Sequence, residues 1–89
     1  MTIEMICAAY ESRAEAAKSL VEECHPEMSE LDVVAYDHLA TIFRQIRDGK
    51  ETFGGALDTY RAAKLSDDPQ EKDIAKIVVH WLEIERAKL

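Results

Sequence analysis

The chain has 89 residues, a net charge of −7, 47% hydrophobic and 33% charged residues. That suits one domain with one core rather than two, and it is too apolar for a disordered chain. No apolar run approaches the ~20 residues needed to span a bilayer.

The charge is unevenly placed. Residues 1–43 hold nine acids against Arg13 and Lys18, while residues 44–89 hold nine acids and nine bases. Direct binding to nucleic acid is disfavoured, because phosphate contacts rely on Lys and Arg replacing counterions. Anionic membrane surfaces are disfavoured for the same reason. The opening residues, MTIEMICAAYESR, place a glutamate early and have no basic n-region, so no secretory signal is read and a cytoplasmic location is expected. Cys7 and Cys24 lie about 25 Å apart if they share one helix at ~1.5 Å per residue, too far to pair with each other.

From Ile3 to Cys24 the apolar residues Ile3, Ile6, Cys7, Tyr10, Ala14, Ala17, Leu20, Val21 and Cys24 step by one, three or four. This is the period of a helix with one buried stripe, and Thr2 is its cap. Pro26 ends it. The second helix starts at MSELDV: Ser29 caps, Asp32 takes the third helical position, and Met28 and Val33 are spaced for a hydrophobic staple. Its stripe is Leu31, Ala35, His38, Leu39, Ile42 and Ile46, and Gly49 stops it.

A shorter third helix follows Thr52 through Phe53, Ala56, Leu57 and Tyr60. Gly54 and Gly55 in its first turn disfavour helix, unless they let two backbones approach closely. SDDPQEKD opens the fourth: Asp68 caps, Pro69 fits the first helical position, and Glu71 is placed to complete a capping box. Ile74, Ile77, Val78, Trp81, Leu82 and Ile84 form its stripe. Glu85 also falls within that stripe, which reads as a frayed chain end. Nothing alternates with period two. The expected fold is all-α, a small up-and-down four-helix bundle with a short third helix, spanning residues 1–89 as a single domain.

EECHPEMSE, residues 22–30, gathers Glu22, Glu23, Cys24, His25, Glu27 and Glu30. A metal-dependent helical enzyme or metal carrier is the alternative this stretch raises. However, Cys24 lies on the apolar stripe and Glu22 on the polar arc, so they diverge where metal ligands must converge. The stretch is better explained as a helix end with a core cysteine and a histidine near the C-terminal dipole. Glu27 with Glu30 and Asp68 with Glu71 are carboxylate pairs, but both sit at helix starts, where capping explains them. His38 reads as a satisfied histidine at the core edge, and His80 as an exposed contact with Glu83. Nucleophile motifs, phosphate loops and dinucleotide fingerprints are absent. No catalytic residue, cofactor or metal is therefore assigned.

Two features point outward. At ~100° per residue, Glu4, Glu11, Glu15 and Glu22 fall within about 40° of one another, an acidic line on helix 1. With Asp32 and Asp37 on helix 2 they build an acidic side. Tyr36 and Phe43 share a face beside the helix 2 stripe, either in a generous core or as a patch for a partner. The expected function is non-enzymatic: binding a protein partner with a basic surface, as small acidic inhibitors, immunity proteins, antitoxins and adaptors do. That likeness is of class, not of motif. A sharper form is mimicry of nucleic-acid charge. The other alternative is a self-associating structural subunit, a homodimer with Tyr36 and Phe43 at the contact.

Overall fold

A computed structural model describes residues 2–23 and 29–89. The chain order is α1 (Ile3–Glu22), α2 (Glu30–Arg47), α3 (Phe53–Ala63) and α4 (Pro69–Lys88), with no strand among the described residues. The Pro26 stop, the Met28–Val33 staple and the placement of Cys24, His25 and Glu27 lie outside the described residues.

The helix starts follow local chemistry. Thr2 Oγ1 accepts from Met5 N–H at 3.3 Å. Ser29 and Asp32 form the full reciprocal capping box of α2. Thr52 Oγ1 accepts from Gly55 N–H at 3.0 Å, satisfying one of the donors a helix start leaves unpaired. Asp68 accepts from Gln70 N–H at 3.0 Å with Pro69 behind it. The capping box expected from Glu71 is not made. Ser66 Oγ accepts from the Asp68 N–H at 3.2 Å and donates to Glu71 Oε2 at 3.1 Å, so the donor that Glu71 was placed to meet is already taken.

The stop of α2 is a complete Schellman motif. Lys50 N–H reaches Gln45 O at 2.8 Å and Gly49 N–H reaches Ile46 O at 3.1 Å. Gly49 has φ of 76°, the left-handed conformation such a turn requires. Gly54 and Gly55 do not bring two backbones together. A Cβ on Gly54 would meet open space, and one on Gly55 would strike the Glu51 side chain, which folds back so that its carboxylate accepts from Thr52 N–H at 2.8 Å.

The molecule measures 36 × 32 × 20 Å, about two helix diameters thick. Its closest backbone neighbours are α1 with α2, α2 with α4, and α3 with α4. This set does not establish the expected up-and-down order. The side-chain meetings of α2 and α3 include the Phe43 and Phe53 rings, 5.9 Å apart.

One core joins all four helices. It contains Ile6, Cys7 and Tyr10 from α1, Leu39, Ile42 and Phe43 from α2, Ala56 and Leu57 from α3, and Val78, Val79 and Leu82 from α4. Tyr10 is its centre, with ring centroids 4.8 Å from Phe43 and 6.3 Å from both Tyr36 and Trp81. The Arg13 guanidinium lies 4.8 Å from the Tyr10 ring and 5.4 Å from the Trp81 ring, a cation–π arrangement that shields the half-buried indole.

Glu85 is not frayed. It is 2% exposed, and its Oε1 accepts from Tyr10 O–H at 3.0 Å and Lys88 Nζ at 3.2 Å. A carboxylate on an apolar stripe is stable there only because donors wait for it.

Candidate partner-binding surface

The acidic line of α1 meets α2, and the meeting changes it. Glu4, Glu15 and Glu22 are exposed, as is Asp37 on α2. Glu11 is not a free acid. Its Oε1 accepts from Arg44 Nε at 3.2 Å and Nη2 at 3.1 Å. The Cys7 thiol donates to the same oxygen at 3.6 Å, and Arg47 Nη1 lies 3.7 Å from Cys7 Sγ.

The Arg44 hydrogen bonds, then that from Cys7, hold the Glu11 carboxyl below its ordinary value. Burial first, and then the Glu11 charge, push the Cys7 thiol up. Like charges at i,i+4, as Glu11 and Glu15 are, repel, and here the repulsion is offset from another helix. The reason is tertiary: antiparallel packing of α1 on α2 carries Arg44 to Glu11, 33 residues away in sequence.

Asp32 is likewise not free for a partner. Its Oδ2 accepts from Ser29 N–H at 3.1 Å and Ser29 Oγ at 2.9 Å, the work of a helix cap. Phe43 is 0% exposed, so it belongs to the core and not to a surface patch. Tyr36 is half-buried against Tyr10 and Trp81. The eight expected contact residues therefore divide. Glu4, Glu15, Glu22 and Asp37 remain open carboxylates, and Tyr36 shows an edge. Glu11, Asp32 and Phe43 have structural partners.

Glu11, Glu15, Asp37, Lys18 and Arg44 surround a groove of about 320 Å³ floored by Ala14 and Ala40. The small floor lets the two backbones approach, and the charged walls leave Glu15 and Asp37 facing water. No family model, no curated protein and no solved structure matches this chain.

Other polar pairs were not visible in the sequence. His38 is exposed on α2 rather than sunk at the core edge, and its Nδ1 lies 2.6 Å from the Tyr60 hydroxyl of α3. Burial raises the Tyr60 pKa. Glu83 pairs with Arg61 of α3 at 3.1 Å instead of contacting His80, whose ring stands edge-on to Trp81 at 5.2 Å. The position of Glu85 on the α4 stripe was the one sequence signal of an internal polar contact.

Among the described residues no group of three or more His, Cys, Asp or Glu side chains is placed to hold a metal ion. Cys24, His25 and Glu27 lie outside them. No helix among the described residues is long and apolar enough to cross a membrane.

Proposed function

We propose that this protein is a non-enzymatic, cytoplasmic binding module that docks a protein partner with a basic surface. Its partner would lie along the α1–α2 face, over Glu4, Glu15, Glu22 and Asp37, with Glu11 and Tyr36 at the margin. The observation that carries the reading is that Glu4, Glu15, Glu22 and Asp37 stand exposed with no ion pair among the described residues. Such a field steers a basic partner and speeds its encounter. A partner that normally binds DNA or RNA would be the case of charge mimicry.

The test is capture of the partner from native cells, followed by binding to a Glu15→Lys, Asp37→Lys variant. Both positions are exposed, so the helices should persist by circular dichroism while capture is lost. Association with the parent protein should slow as salt shortens the screening length from about 10 Å at 0.1 M to about 3 Å at 1 M. A double variant that binds at parental affinity would refute the assignment of this face.

A further inference from the structure

Both α1 and α2 run on beyond the shared core. In chain order the last buried residue on α1 is Ala17 and the first on α2 is Ala35. Past them lie Leu20 and Val21 on α1, and Leu31, Val33 and Val34 on α2, all half-buried. Among the described residues, none of the five belongs to the core cluster or to the residues packed against it. Among the described residues Val21, Val33 and Val34 line a groove of about 340 Å³, walled also by Glu22, Glu30 and Lys18.

An aliphatic floor left partly in water gains free energy from any apolar cover, at roughly 25 cal/mol per Å² buried. The rim decides which cover. Among the described residues it holds two carboxylates against one ammonium, on the half of the chain that carries the whole net charge. A second copy of the chain would bring acids against acids and meet like-charge repulsion.

We infer that this groove receives the apolar face of a basic amphipathic helix. Apolar residues of that helix, one turn apart, fill the valine floor, and its flanking Lys or Arg pair with Glu22 and Glu30. This rests on the binding reading above and specifies the partner's chemistry: charge at the rim steers, and burial at the floor holds.

The test uses a fluorescein-labelled peptide of leucine and lysine, roughly four helical turns long and patterned with one apolar face. Two control peptides replace its leucines by serine or its lysines by glutamate. Fluorescence anisotropy should show saturable one-to-one binding of the leucine–lysine peptide. Both controls should bind at least about tenfold more weakly, which corresponds to about 1.4 kcal/mol. Val33→Asp should weaken binding of the leucine–lysine peptide by a similar factor. So should Glu22→Lys with Glu30→Lys, whose exposed positions keep the test valid if Val33→Asp unfolds the chain.

Equal binding of the serine peptide would overturn the groove while leaving the acidic-face reading intact. So would loss of binding in Glu15→Lys, Asp37→Lys alone, with the groove variants unaffected. Absence of binding by every peptide overturns the groove, and partner capture then judges the acidic face separately. A dimer in sedimentation that Val33→Asp disperses would make a second copy the occupant, which also overturns the inference.

Discussion

Tyr10→Phe removes one oxygen from the middle of the core and leaves the ring in place. Its hydroxyl donates to Glu85, a side chain only 3% exposed, whose other hydrogen-bond partner is Lys88. Hydrogen bonds to charged groups contribute about 1.5–3 kcal/mol, and a buried acceptor left short of donors costs a comparable amount. Lys88 is 45% exposed and water screens it, so it cannot replace a buried phenol. We expect a loss of about 2 kcal/mol, a large share of the ~5–15 kcal/mol typical of a small domain. Urea unfolding should show it as a lower midpoint at unchanged slope. Glu85→Leu alone should also destabilise, because it strands the Tyr10 hydroxyl. Combining Glu85→Leu with Tyr10→Phe should recover much of the loss, since replacing both polar partners by apolar groups is close to neutral. If Tyr10→Phe stays within about 0.5 kcal/mol of the parent, as a neutral surface change does, Glu85 is not held by the phenol and its burial has another cause.

Three further outcomes are expected. Glu11 should titrate below the ordinary glutamate value in the parent and close to it in Arg44→Ala, as followed by carboxyl carbon chemical shifts; because its folded pKa is lowered, its stabilising contribution is present above pH 4.5 and lost as the pH falls through the folded value. Equal titration in both proteins would dissociate Glu11 from Arg44. Gly49→Ala should cost about 1 kcal/mol in thermal or urea unfolding, because a Cβ there finds no neighbour within 4 Å and the cost is that of the left-handed backbone alone; an unchanged midpoint would mean the α2 stop relaxes elsewhere. In a Cys24→Ser background, Cys7 should react with a disulfide reagent only at the rate of opening, since it is 1% exposed and its thiol is pushed up by burial. Immediate labelling of the native protein would contradict the orientation of α1.

The helices were legible in the sequence because their causes are local. Thr2, Ser29 with Asp32, Thr52 and Asp68 each satisfy donors within three residues, and Gly49 supplies a conformation other residues resist. The spacing of Ile6, Cys7 and Tyr10, or of Val78 and Leu82, likewise marks which side of a helix must leave water. The open acids Glu15 and Asp37 were legible as exposed for the same reason.

What the sequence could not determine is which side chains from different helices meet. Glu11 reads as a free acid until α2 delivers Arg44, 33 residues on. Glu85 reads as frayed until α1 delivers the Tyr10 hydroxyl, 75 residues back. Phe43 reads as core or contact until α1 and α3 close over it with Tyr10 and Phe53. Helical periodicity gives the direction of a side chain around its own axis. It carries no information on the crossing of two axes, which depends on how the small residues Ala14, Ala17, Ala35 and Ala40 let α1 and α2 close on each other and where α4 then lies. The caps and stripes were therefore local consequences of residue type, whereas the Glu11–Arg44 and Arg61–Glu83 ion pairs, the enclosed carboxylate and the half-covered valine groove were decided by packing.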